Sequence, residues 1–262
     1  MQAELIILGC GDSAGTPRIG NHWGNCDPAE PKNIRTRASI CVRTEATTLI
    51  IDTGPDFKHQ FNREKLARLD AVIYTHAHGD HVNGMDDLRP WHDRDKQRIP
   101  VYLQQETLDD LNFRFNYIFR QKTPLYPPIV DTHIWDESHF GQTQKIGDIE
   151  FTPFQQDHGF INTLGLRFGD VAYSTDVIDL NDKALAVLKG VHTWIVDGAN
   201  LYIKKPLVHM SLERILMFNE TIGAKQIYLT HMKNDLDYQT LVQTLPQGVA
   251  PAYDGLKLPI EF

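Results

Sequence analysis

Tyr74–Leu88 reads YTHAHGDHVNGMDDL, and within six residues it places His76, His78, Asp80 and His81 at the end of the apolar run Ala71–Tyr74. Neither apolar packing nor the solvation of a charged face accounts for such a hexad. His76 and His78 are two positions apart, so an extended backbone points both rings to one side. Asp80 and His81 follow where the chain should turn into a loop or helix. The spacing suggests two pairs of ligands aimed at two metal ions. Neutral imidazole and carboxylate suit Zn²⁺ and Mn²⁺, with iron as a further candidate.

Three more ligand-type residues end apolar runs: FTPFQQD leads into His158, VAYST into Asp176, and QIYLT into His231. Strand ends at one edge of a sheet can converge on one site. Taken singly, each of these residues reads equally well as a polar group at the end of a strand.

The 262 residues suit one large domain or two small ones, and 41% hydrophobic content is enough for a sizeable core. A formal net charge of −8 argues against a broad nucleic-acid footprint, although a small anion could still sit in a local basic pocket. The cysteines, Cys10, Cys26 and Cys41, are odd in number and form no CxxC pair, which points to a reducing compartment rather than a disulfide framework. The start, MQAELIILGCGDS, reads as a first strand and not a signal peptide, and no apolar run is long enough to span a bilayer. The expected location is cytoplasmic.

Short apolar runs predict strands at Glu4–Leu8, Ser39–Arg43, Thr48–Ile51, Ala71–Tyr74, Val101–Leu103, Ile149–Phe154, Thr163–Phe168, Val171–Ser174, Thr193–Val196 and Gln226–Leu229. Helical patterns fall at Phe57–Arg68, Glu106–Phe119, Asn181–Leu188 and Ser211–Thr221, the last with Ser211 as N-cap. Strands mixed with helices throughout predict an α/β layered fold. PLYPP at Pro124–Pro128 predicts a stiff loop that could belong to a lid.

HxHxDH after a strand, a lone His, an Asp after ST and a His after YLT together resemble the metallo-β-lactamase-fold hydrolases. The resemblance covers nearly the whole chain, from LGCGDSAGTPRIG through LIIDTGPD at Leu49–Asp56 to YDGLKL at Tyr253–Leu258. It implies one αββα four-layer sandwich domain over residues 1–262. By the same resemblance His76, His78 and His158 hold one metal, Asp80, His81 and His231 hold the other, and Asp176 bridges them. Asp52, in IDTG, would orient a metal-bound histidine or simply stabilise the turn before Gly54.

Departures narrow the branch. Flavodiiron oxidoreductases have Glu where this chain has His78. Many true β-lactamases have Cys at the position of Asp176 and lack His81. Glyoxalase II enzymes add a helical C-terminal domain, and 31 residues follow His231 here. VHMSLERIL at Val208–Leu216 resembles the histidine segment of the transfer-RNA 3′-processing and cyclic-phosphodiesterase branches, which makes His209 the candidate general acid and phosphate-binding residue. GMDDLRP at Gly84–Pro90 resembles the PhnP-like, phosphoribosyl cyclic phosphodiesterase-like branch, and Arg89 could offer a planar fork to a phosphate. The clustered cysteines of that branch are reduced to Cys26, and its further histidine is Asn234, so two metals are expected rather than three. WGNCDP at Trp23–Pro28 then reads as a simple turn.

The expected activity is hydrolysis of a small cyclic or nucleotide-type phosphodiester by a metal-bound hydroxide, with His209 protonating the leaving oxygen and Asp80 also orienting the nucleophile. Two readings compete with it: a thioester or lactone hydrolase using the same cage, and a non-catalytic nucleotide-binding member of the fold. A small substrate is expected as partner, with membrane and large nucleic acid disfavoured and a homodimer left open.

Overall fold

The computed structural model describes residues 3–121, 123, 125–204 and 206–262. Six strands follow in chain order in the first sheet: β1 (Ala3–Gly9), β2 (Ser39–Arg43), β3 (Thr48–Ile51), β4 (Ala71–Ile73), β5 (Ile99–Gln104) and β6 (Val130–Trp135). The second sheet contains β7 (Gln144–Ile146), β8 (Ile149–Asp157), β9 (Asn162–Phe168), β10 (Val171–Ser174), β11 (Thr193–Asp197), β12 (Gln226–Thr230) and β13 (Val249–Pro251). The chain then returns as β14 (Lys257–Ile260) to the free edge of β1, giving the orders β14-β1-β2-β3-β4-β5-β6 and β13-β12-β11-β10-β9-β8-β7.

Helices α1 (Phe57–Arg63), α2 (Gly79–Val82), α3 (Arg89–Asp95), α4 (Gln105–Arg114) and α5 (Asn116–Phe119) lie between strands of the first sheet in sequence, and α6 (Asp182–Leu188), α7 (Leu212–Ile222) and α8 (Tyr238–Thr244) between strands of the second. Strand β1 shows why the layers form. Leu5 and Ile7 enter one apolar cluster with the second sheet, while Ile6 and Leu8 enter another with Phe57, Phe61, Val82 and Leu111 of the helices. A strand buried on both faces reads as a continuous apolar run. The result is the αββα sandwich with helices on the outside.

Topology decides which strand ends meet. Strands β3 and β4 are parallel, so the residues after both emerge at one edge. Strands β10, β11 and β12 are parallel to one another, and β8 reaches the same direction through two antiparallel pairings via β9. Asp52, His76, His158, Asp176, Asp197 and His231 therefore lie at carboxyl ends of co-directional strands. Crevices outside such ends are where open α/β sheets bind ligands.

Two helices are shorter than their patterns. The Phe57–Arg68 pattern yields a helix only to Arg63, because Lys65 turns left-handed at φ 52° and the amide of Leu66 donates back to Phe61 O. The Glu106–Phe119 pattern breaks at Phe115 into α4 and α5. Strands β6, β7, β13 and β14 and helices α3 and α8 carried too little apolar signal to be read. In β6, for example, Asp131, Thr132 and His133 are all exposed. In the expected lid loop Tyr126 forms an isolated antiparallel bridge with Thr123, which precedes the loop, and Pro124 lies outside the described residues.

Candidate metal centre

Short turns after the strands deliver the side chains. His76 follows β4, and α2 begins at Gly79, so Asp80 and His81 sit on its first turn. Among the described residues six non-glycine residues have positive φ, and three of them are Asp52 (66°), Asp176 (50°) and His231 (54°). Asp, Asn and His tolerate the left-handed region better than other side chains. Strained backbone of this kind persists only where its surroundings hold it, commonly at functional sites.

One ligand atom from each of His76, His78, His158 and Asp176 falls within 4.8 Å of the others, and the same holds for Asp80, His81 and His231. Asp176 divides between the two groups. Its Oδ1 lies 3.4 Å from His158 Nε2, whereas its Oδ2 lies 3.1 Å from His81 Nε2 and 3.4 Å from His231 Nε2. Asp80 Oδ2 stands 3.3 Å from both His81 Nε2 and His231 Nε2. His78 is the exposed member, at the mouth.

Behind the cage a hydrogen-bond chain sets the tautomers. The Nδ1–H of His81 donates to Asp52 Oδ2 at 2.7 Å, and the Thr75 hydroxyl donates to the same oxygen at 2.8 Å. The Thr75 oxygen then accepts from His76 Nδ1–H at 3.0 Å. Asp52 thus orients one histidine of each group, and carboxylates in this position set tautomer and basicity. His158 Nδ1–H donates to Val208 O at 2.6 Å. The inward Nε2 atoms of His76 and His81 are buried with no hydrogen-bond partner. Orphaned buried imidazole nitrogens facing carboxylates are what a divalent cation would satisfy, so the residues fit a metal pair.

Burial pushes the His76 and His78 pKa values down. Burial also opposes charge on His231, yet Asp176 and a hydrogen bond donated to Asp80 outweigh it and raise its pKa from 6.5 to about 9. His81 is likewise raised, against burial, by Asp176, Asp80 and Asp52. Since its folded value lies above the ordinary one, protonated His231 stabilises the metal-free fold fully below about pH 6.5, a contribution lost as pH rises through about 9. A metal at His231 must displace that proton. We expect the apparent metal affinity to rise with pH between 6.5 and 9 by roughly tenfold per unit per displaced proton. Calorimetry in two buffers of different ionisation enthalpy would measure the protons released, and a pH-independent affinity would contradict this account.

His209 stands beside the cage. Its ring centroid is 5.1 Å from that of His158 and 5.2 Å from that of His231, stacked on the latter. Its Nδ1–H donates to the buried Asp197 Oδ2 at 2.5 Å. One atom from each of Asp176, Asp197, His209 and His231 also falls within 4.8 Å. Asp197 escaped the sequence reading, although it ends the apolar run TWIVD just as the other ligands end theirs.

Arg89 is the half-buried first residue of α3, near the Tyr117–Asp86 hydrogen bond, and among the described residues it makes no hydrogen bond or ion pair to the cage. The guanidinium bonded to the cage backbone is that of Arg114, which donates to Ala77 O between His76 and His78. No sequence signal marks Arg114, because α4 reaches the site only through the packing of the layers.

The Trp23–Pro28 loop is a turn packed on the segment after His231. Gly24 has φ 61°, and a Cβ there would stand 2.4 Å from Asn234 O. Buried Arg35 ties the loop down by donating to Asn33 Oδ1, Lys233 O and Leu236 O, with the Cys26 sulfur 4.0 Å away.

The beta-lactamase superfamily domain matches residues 47–232. An octanoyltransferase of Porphyromonas gingivalis is 31% identical over 98% of this chain and 52% of its own length. A ribonuclease Z of Thermococcus kodakarensis is 27% identical over 55% of this chain and 44% of its own. The chain thus spans about half the length of the curated relatives it matches. Among solved structures, a diphosphatase from the PhnP family superposes with a TM-score of 0.87 at 34% identity, covering 100% of this chain and 98% of that one.

Proposed function

Because this chain belongs to the beta-lactamase superfamily, we propose that it is a dinuclear metal-dependent phosphodiesterase acting on a small cyclic or nucleotide-type phosphodiester. The observation that carries the proposal is the split of one carboxylate, Asp176, between two histidine groups, with the His209–Asp197 pair standing beside them. His76, His78 and His158 would hold one ion, Asp80, His81 and His231 the other, and Asp176 both. When bound, such a pair supplies Lewis acidity and a water acidic enough to serve as nucleophile at neutral pH.

The chain's own residues do the rest. Asp52 and Thr75 hold the rings of His76 and His81 in position. Asp197 accepts the hydrogen bond from His209 Nδ1–H, which fixes the ring and leaves Nε2 as its free nitrogen. Nε2–H can then hand a proton to the leaving oxygen. Asp80 also helps orient the nucleophile. Arg89, and Arg114 with its bond to Ala77 O, are the guanidinium groups proposed for the phosphate. The whole chain reads as one such domain. A cytoplasmic setting fits three free, buried cysteines, and among the described residues no helix is long and apolar enough to cross a membrane.

The likeness to a PhnP-family diphosphatase favours a second reading at the same site, a nucleotide-type diphosphate. Both are tested by loading the protein with Zn²⁺ or Mn²⁺ and screening bis(p-nitrophenyl) phosphate, 2′,3′-cyclic nucleotides, a dinucleoside diphosphate and an octanoyl thioester. Elemental analysis should return about two metals per chain. Turnover confined to the thioester would remove the phosphodiesterase reading. A reproducible third equivalent that Cys26→Ser abolishes would remove the two-metal reading.

A further inference from the structure

His158 follows β8, and the next residue, Gly159, has φ 86°. A Cβ at Gly159 would stand 2.6 Å from Leu207 O and 3.2 Å from Val208 Cγ1, so the turn after His158 and the segment entering His209 abut backbone to backbone. The His158–Val208 hydrogen bond closes the same seam. Each side of it carries a large apolar side chain that is exposed: Phe160 is 87% exposed and Leu207 76%. One lies two residues beyond His158, the other two residues before His209. Tyr202, 61% exposed, belongs to the same segment as Leu207.

Single exposed apolar residues are ordinary. Here distant parts of the chain bring two of them to one seam, beside the candidate ligand and the candidate acid. An inorganic anion or a small sugar phosphate has nothing to cover it with, whereas an aromatic ring attached to the phosphate does. We infer that Phe160, flanked by Leu207, is a specificity-determining platform on which the nucleobase or aryl ring of the substrate stacks while its phosphate faces the cage. The inference rests on the phosphodiesterase reading for the identity of the anionic half of the ligand. It rests on the exposed seam for the ring.

Stacking of a base on an aromatic side chain is sequence-tolerant and worth roughly tenfold or more in affinity. The metal-loaded protein should therefore bind phenyl phosphate roughly tenfold more tightly than methyl phosphate by calorimetry. Phe160→Ala should erase that preference with metal content unchanged, and Phe160→Tyr should keep it. In turnover, the ratio of kcat/KM for thymidine 5′-(p-nitrophenyl phosphate) to that for methyl p-nitrophenyl phosphate should fall roughly tenfold in Phe160→Ala.

Equal binding of the two phosphates by the unsubstituted protein would overturn the platform. So would a preference that survives Phe160→Ala, or tighter binding of octyl phosphate than of phenyl phosphate. Failure of the underlying reading looks different. If no phosphodiester turns over while a Phe160-dependent preference for phenyl phosphate remains, the reaction is wrong and the platform stands. If phosphodiesters turn over without any ring preference, the platform is wrong and the reaction stands.

Discussion

Asp176→Ala should strip the protein of tightly held metal and abolish turnover. Its two carboxylate oxygens face different histidine groups, so one substitution removes a ligand from each. The loss extends to stability, because metal that binds only the folded chain stabilises it by mass action. At a hundredfold excess over Kd the contribution is about 2.7 kcal/mol per site. The variant's thermal midpoint should therefore respond weakly or not at all to added Zn²⁺, whereas the unsubstituted protein's midpoint rises. Asp176→Asn guards against a trivial folding defect, since it keeps the shape and an oxygen able to accept the Thr175 hydroxyl, which now lies 2.8 Å from Oδ2. A variant that keeps two tight ions and a near-normal rate would refute the bridging assignment.

His209→Ala should lower kcat by roughly 10²–10⁴ for substrates with poor leaving groups while leaving two metals in place. The loss should shrink for p-nitrophenolate, which departs without a proton. Asp197→Asn should follow the same pattern more mildly, because it weakens the acceptor that holds the His209 ring through Nδ1–H. If His209 only bound phosphate in the ground state, KM would rise and both kinds of leaving group would suffer equally. A loss of metal would instead place His209 in the cage, as the proximity of Asp176, Asp197, His209 and His231 allows.

Much of this was legible locally. Strands β2, β3 and β10 match their apolar runs end to end, because burial on both faces leaves few polar interruptions. The run of exposed residues in β6 and the three-residue length of β7 and β13 left no comparable trace. Ser211 was readable as an N-cap, and its hydroxyl does accept from Arg214 N at 3.3 Å. The helix from Phe57 was overextended, since the apolar period continues past Lys65 while the backbone turns left-handed there.

By itself the sequence determined a layered α/β class, which only the family resemblance narrowed to αββα, and the residue types of the cage: a hexad of ligands after one strand, and His158, Asp176 and His231 at the ends of three others. These are properties of single segments, set by apolar period and by which side chain closes each run. Only the tertiary structure decided which ends meet. The parallel pairing of β10, β11 and β12 put Asp197 behind His209, the parallel pairing of β3 and β4 put Asp52 behind His81, and the packing of α4 brought Arg114 to Ala77. A strand's apolar pattern encodes that it is buried but not which strand lies beside it, and adjacency is chosen by the joint packing of both sheets.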